Sequence, residues 1–229
     1  MEQIKLLEKE ARETVREYAY RVLYQNIMTM RLVPGTAMSE QELSTILQVS
    51  RTPVREAFIR LSQKGLLEIL PQRGTFVSKI NTDQLSEFRF LRVTLETAII
   101  RLACTAFSPS WLMKLQACLQ EQAQLVESKD SEAFFKSDNT MHEILYAGCN
   151  KSHIWHIVQD ANVDYLRARM LNVTGVKEQI QMLYNQHCAI VEAVMRHDEA
   201  QGVAVMTAHI NKVIGDVEVL KKQYPDYFK

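Results

Sequence analysis

Along the first eighty residues the apolar positions change period. Beyond Arg51, Val54, Ala57, Phe58 and Leu61 recur at helical spacing while Arg51, Arg55 and Arg60 lie off that face. Thr52 before Pro53 reads as an N-cap followed by proline at the first helical position, where its fixed φ fits and its missing N–H costs nothing. Upstream, Ser39-Glu40-Gln41-Glu42 has the spacing of a capping box, and Leu43, Ile46 and Leu47 supply a short apolar face. Two short helices with a tight connection predict a helix-turn-helix. Gly65 ends the second helix. Residues 66–70 then read as a strand, Pro71-Gln72-Arg73-Gly74 reads as a turn, and residues 75–80 return, which puts Arg73 at the tip of a wing.

Before this module, residues 2–30 read as helical, with Leu6, Val15, Tyr18, Val22 and Ile27 near one face and Pro34-Gly35 as the stop. Residues 1–13 are more charged than the module needs and are expected to form a helical extension, either solvated or in contact with a dimer partner. After residue 81 glycine and proline are scarce and the period stays helical, which predicts six helices at 83–106, 110–128, 131–149, 151–171, 176–197 and 199–222. The fold class expected is mainly α: a winged helix-turn-helix at 14–80, a brief linker near 78–82, and an all-α bundle at 81–229. A chain of 229 residues suits one large or two modest domains.

The formal net charge of zero argues against an indiscriminate nucleic-acid binder, but the charge is unevenly spread. From Thr14 to Ile80 nine Lys or Arg stand against five Asp or Glu, whereas from Asn81 onward fifteen stand against eighteen. Phosphate neutralisation supplies most non-specific affinity for DNA, so this asymmetry fits a DNA-reading domain joined to a domain with another task. Cys104, Cys118, Cys149 and Cys188 form no CxxC pair and read as free thiols of a reducing cytosol. No apolar run approaches the length of a membrane span, so a soluble cytoplasmic protein without a membrane partner is expected.

Candidate chemistry lies in the second half. On the first bundle helix, Leu85, Phe88, Leu95, Ile99 and Leu102 leave one seat on the apolar stripe, and Arg92 takes it. A guanidinium there needs a carboxylate partner, which is either Glu96 one turn on or a ligand. On the third helix Asp138 and His142, four residues apart, share the buried side; His187 falls on the apolar stripe of the fifth helix and His209 at the edge of that of the sixth. Buried unpaired, these groups would cost several kcal/mol, and one divalent cation would pair all four. His153, His156 and His197 lie near helix ends and read as solvated or capping.

Leu32-Val33-Pro34-Gly35, Ser50-Arg51-Thr52-Pro53-Val54-Arg55-Glu56 and Arg73-Gly74-Thr75-Phe76-Val77 together resemble the winged helix of the GntR family of bacterial regulators. The resemblance implies that Ser50, Arg51, Thr52 and Arg55 meet phosphates and base edges in the major groove, and that Gln72, Arg73 and Gly74 approach the minor groove. Gln41 stands where some members carry a basic DNA-contacting residue. Asp138-x-x-x-His142, Asn185-x-His187, Asp198 and His209, with Arg92-x-x-Leu95-Glu96 and Gly148-x-Asn150, are similar to the FCD ligand-binding domain of the FadR subfamily. Six helices would suit its VanR-like branch. That resemblance implies one metal ion on Asp138, His142, His187 and His209, with Arg92 near a bound organic acid. Three nitrogens and one oxygen suit zinc, nickel or iron, and availability favours zinc.

The expected function is therefore a metabolite-responsive transcription factor, commonly a repressor in such a family. A homodimer would place two recognition helices in successive major grooves of a roughly palindromic operator on double-stranded DNA. Two rivals are a regulator for which the metal itself is the signal and, from another class, a metal-dependent hydrolase.

Overall fold

The computed structural model describes residues 4–160, 163–175, 178–215 and 217–229. It divides into two compact units, Met1–Thr82 together with Lys221–Lys229, and Asp83–Leu220. The expected second domain ran to residue 229; its last nine residues group with the first unit instead.

In the first unit, α1 spans Val15–Met28 rather than beginning near residue 2, and residues 4–13 are not helical. Thr14 stops the helix from extending backward. Its hydroxyl accepts from Glu17 N–H while the Glu17 carboxylate accepts from Thr14 N–H, a complete capping box. The arm before it is pinned to α1 by the buried Asn26, which accepts from Lys5 N–H (2.8 Å) and donates to the Lys5 carbonyl (3.0 Å). Arg21 adds an ion pair to Glu13 at 2.6 Å.

Helix α2, Glu40–Ile46, starts under the Ser39 hydroxyl, which accepts from Glu42 N–H. Helix α3, Arg51–Gln63, begins two residues earlier than the proline suggested: Ser50, not Thr52, is the N-cap. Pro53 sits at the third helical position, where an N–H would have no intrahelical acceptor anyway, so the proline is equally cheap there. Val54, Ala57, Phe58 and Leu61 are buried, with Leu43 and the α1 residues Ala19, Val22, Leu23 and Ile27 also in this core.

The sheet has three antiparallel strands, β1 (Ala37–Met38), β2 (Leu67–Leu70) and β3 (Gly74–Val77), in the order β1-β3-β2. The β2–β3 hairpin pairs Leu67 with Val77 and Leu70 with Gly74; Gln72 (φ +60°) and Gly74 (φ +107°) turn it. The returning strand stops at Val77, short of the expected residue 80. Ile80 instead forms a parallel bridge with Phe228, donating to the Tyr227 carbonyl at 2.8 Å and accepting from Lys229 N–H at 2.9 Å. Lys229 also pairs with Glu68.

In the second unit, α4 covers Thr82–Thr105, α5 Pro109–Ser128 and α6 Ser131–Gly148, close to expectation. Helix α5 does place a proline at its start, after Ser108, and Lys129 in the left-handed region closes it. The single helix expected at 151–171 is described as α7, Ser152–Asp160, and α8, Val163–Gly175, on either side of residues 161–162, which lie outside the described residues. Helices α9 (Glu178–Met195) and α10 (Glu199–Gly215) follow, then α11 (Val217–Gln223). Among the described residues, then, 82–223 carries eight helical stretches, α4 to α11, where six helices were expected; the one expected at 199–222 is described as α10 and α11 on either side of residue 216, which lies outside the described residues. The core includes Phe134, Ile180 and Leu183. Gly202 lets α10 approach α4, since a Cβ there would stand 2.7 Å from Ile100 Cγ2.

Candidate functional site

Two sites carry the residues singled out by the sequence, one exposed and one buried. On the first unit, Ser50, Arg51, Thr52 and Arg55 are all exposed at the start of α3, opposite its buried face. Ser50 makes no capping hydrogen bond through its side chain, which leaves the hydroxyl for another partner. Arg55 is tethered by Glu40, Nε to Oε1 3.1 Å, an exposed pair of small worth. Gln72, Arg73 and Gly74 are exposed at the wing tip. Arg60 serves packing instead, its guanidinium 4.1 Å from the centroid of the Tyr20 ring.

In the second unit, α6, α9 and α10 bring Asp138, His187 and His209 together in the interior, with one ligating atom of each within 4.8 Å of the others. Asp138 Oδ1 stands 3.2 Å from His187 Nε2 and 3.8 Å from His209 Nε2. His142 is close but outside that group. Its Nε2 lies 3.9 Å from Asp138 Oδ2 and 3.3 Å from Arg92 Nη2. The three imidazoles lie against one another, with ring centroids 4.8 Å apart for His187 and His209 and 5.4 Å for His142 and His209.

Each imidazole is oriented through its other nitrogen. His187 Nδ1 meets Gln122 Oε1 at 2.7 Å, His209 Nδ1 meets Gln186 Oε1 at 3.1 Å, and His142 Nδ1 meets Glu96 Oε2 at 3.0 Å. Those oxygens can only accept, so Nδ1 carries the proton; the Nε2 lone pairs of His187 and His209 are presented toward Asp138, and that of His142 accepts from Arg92 Nη2. Gln122 is itself fixed by donating from Nε2 to Cys118 Sγ. Such outer partners are what metal-ligating histidines ordinarily have.

Arg92 is fully buried and pairs with Glu96, Nη2 to Oε1 2.6 Å, as the spacing allowed. Burial alone would raise Glu96, yet Arg92 and His142 beside it hold its carboxyl down at about 2. A second buried cation was not foreseen: Arg169 of α8 donates to Asp138 Oδ2 and, at 3.3 Å, to Asn139 Oδ1. Burial, with Arg92 as a further like charge, draws Arg169 down to about 9, so it stays charged at neutral pH.

Two family patterns match the chain, "Bacterial regulatory proteins, gntR family" over residues 15–77 and "FCD domain" over residues 87–212. The HTH-type transcriptional repressor RspR of Escherichia coli is 32% identical over 216 residues, 94% of each chain. This chain belongs to the GntR family. The HTH-type transcriptional repressor NanR of Escherichia coli is 28% identical, covering 89% of this chain and 84% of its own. Among solved structures, Escherichia coli McbR/YncC superposes with a TM-score of 0.73 at 22% identity, over 93% of this chain and 99% of its own. A GntR regulator from a Rhodococcus species gives 0.72 at 19% identity, over 90% and 97%. These likenesses place the fold, with its winged helix and FCD bundle. The family is one of transcriptional regulators and not of enzymes, which disposes of the hydrolase reading.

For this GntR regulator the histidine cluster predicts a pH response. Burial holds His142, His187 and His209 below the ordinary value of 6.5, the latter two well below it. An unfolded chain therefore takes up protons that the folded one refuses, so the cluster's stability is intact above pH 6.5 and lost as pH falls below it. The melting temperature of metal-free protein is expected to drop between pH 7.5 and 5, at up to about 1.4 kcal/mol per pH unit for each histidine. A melt indifferent to pH over that range would mean that the imidazoles are not held neutral.

Proposed function

We propose that the chain is a cytoplasmic, homodimeric repressor whose operator affinity is set by a small organic acid bound at a divalent metal in the second unit. The observation that carries this reading is a pair of facing lone pairs. Asp138 Oδ1 and His187 Nε2 are buried 3.2 Å apart, and neither has a hydrogen-bond partner among the described residues. With the proton of His187 on Nδ1, no hydrogen lies between them, and a cation resolves the repulsion. The donor set fits a metal, which Asp138, His187, His209 and His142 would hold, zinc being favoured over nickel or iron on availability. When bound, such an ion offers a Lewis-acidic position for an anionic oxygen. His142 Nε2 faces Arg92 Nη2, so the metal and Arg92 compete for one lone pair, and an Arg92 relieved of His142 is free to turn to a carboxylate.

Pairing of two copies is supported by Leu91 and Leu102, eleven residues apart on one face of α4, exposed together with the neighbouring Phe90. Two winged helices would then address successive major grooves of a roughly palindromic operator. The test is binding of zinc-loaded protein to its own promoter region against sugar acids, hydroxy acids and dicarboxylates. An acid that releases the DNA from wild type but not from His187→Ala supports the reading. Indifference to every acid, with release on chelation alone, favours the second reading, in which the metal is the signal. One observation speaks for that alternative: Arg92 already has a carboxylate in Glu96.

The DNA contact makes its own prediction. Arg55→Ala is expected to weaken operator binding by about 1–3 kcal/mol per half-site, tenfold or more. Its melting temperature should stay within a few degrees, because the side chain is 69% exposed and its pair with Glu40 is weak. Unchanged operator affinity in a mobility-shift titration would move the reading surface elsewhere.

A further inference from the structure

The acceptor-side orphans of the buried site, Asp138 Oδ1 and His187 Nε2, are matched by donors with nothing to bond. Arg92 Nε and Nη1 have no hydrogen-bond partner among the described residues, and neither has the hydroxyl of Tyr146. Tyr146 is fully buried on α6, one turn after His142, with its ring 5.3 Å from that of Trp155. The same Trp155 ring lies 5.8 Å from the Arg92 guanidinium and 6.0 Å from the His142 ring. Thus Tyr146, Arg92 and His142 share one wall.

A buried tyrosine hydroxyl ordinarily finds an acceptor, and the neighbouring case shows it. Tyr165, whose ring is 5.4 Å from the Arg92 guanidinium, donates to the Ile210 carbonyl at 3.3 Å. Burying such groups unpaired is costly, so an idle hydroxyl and two idle guanidinium N–H groups on residues packed around one Trp155 ring mark a place built for oxygen acceptors. Burial raises Tyr146 above its usual value, so it stays an O–H donor at every physiological pH. Glu96 already balances the charge of Arg92, so the group met by Tyr146 need not be ionised.

We infer that Tyr146 is a specificity-determining residue of the effector site, donating its hydroxyl to an oxygen of the acid other than the carboxylate engaged at the metal. The effector class is then a short acid with a second oxygen function, hydroxyl or carboxylate, rather than a plain monocarboxylate. The inference rests on the reading that this unit binds an acid. A site built to hydrogen-bond a substrate oxygen rejects analogues lacking it far more strongly than an apolar pocket does.

The test uses full-length zinc-loaded protein, wild type and Tyr146→Phe, titrated calorimetrically with malate, lactate, gluconate, succinate and butyrate. Wild type is expected to bind at least one oxygen-rich acid tenfold or more tightly than butyrate. In Tyr146→Phe that ratio should fall about tenfold while butyrate affinity moves less than twofold. Without ligand, the variant should melt no lower than wild type, because the lost hydroxyl has no protein partner. An unchanged ratio, or a ligand-free melt lowered by several degrees, overturns the inference. Equal binding of all five acids to wild type overturns it and leaves acid binding standing, whereas no binding at all removes both.

Discussion

Glu96→Ala is expected to destabilise the protein by about 3–5 kcal/mol, because it leaves Arg92 fully buried without a counter-charge. For a chain of this size that lowers the melting temperature by roughly 6–20 °C. The pair itself is not the source of this number. Two charges brought out of water roughly cancel their own attraction, and the loss comes from stranding one of them. Accordingly, the double replacement Arg92→Met with Glu96→Met should recover most of the lost stability, since it removes both charges and keeps the volume. Glu96 also accepts from His142 Nδ1, so the single variant frees that imidazole to rotate and should weaken metal binding by about 10–100-fold. Thermal melts of the two variants, with zinc titrations, separate the effects. If Glu96→Ala melts within two degrees of wild type, Arg92 has another anion at hand and its role as a strictly compensated cation is wrong.

Why Arg92 was legible and Arg169 was not shows where sequence reasoning stops. Arg92 interrupts a regular apolar stripe and has a carboxylate one turn away on its own helix, so both the anomaly and its partner lie within five residues. Arg169 meets Asp138 across thirty-one positions, and helical periodicity says nothing about which helices become neighbours. The same limit hid Gln122 and Gln186, whose amides matter only once α5 and α9 stand beside the histidines they orient. Asp138, His187 and His209 could be picked out because each is a polar group on an otherwise apolar face, and a bundle has one interior for such faces to share.

In the first unit the recognition helix and wing were readable from apolar period and turn residues, but boundaries were not. Thr14 and Glu17 have the spacing of a capping box, yet the helical pattern of apolar positions runs on through them toward residue 2. Local capping energy overrode a weak amphipathic run. Strand β1 is two residues long, below any periodic signal. The return of Phe228 to Ile80 is a pairing between residues on either side of the whole second unit in sequence, which no local pattern could announce.

Asp138→Ala is expected to have two separable consequences, one for each of its oxygens. Oδ2 holds Arg169, so the metal-free variant should lose about 3–5 kcal/mol as a buried guanidinium is left without a carboxylate. Oδ1 faces His187 and His209, so the variant should also lose its response to metal. In wild type, zinc at a thousand times its Kd adds about 4.1 kcal/mol, worth roughly 8–16 °C in the melt, and a chelator should remove it. His209→Phe isolates the second consequence. It keeps the Asp138–Arg169 pair and gives up only the bond to Gln186, so its metal-free melt should shift by about 1 kcal/mol or less while zinc no longer raises it. The decisive comparison is therefore the metal-free melts of the two variants, in which only Asp138→Ala should fall far. Should wild-type protein prove indifferent to both zinc and chelator, Arg169 is the cation for which the cluster was built, and the histidines form a polar core around a permanent ion pair.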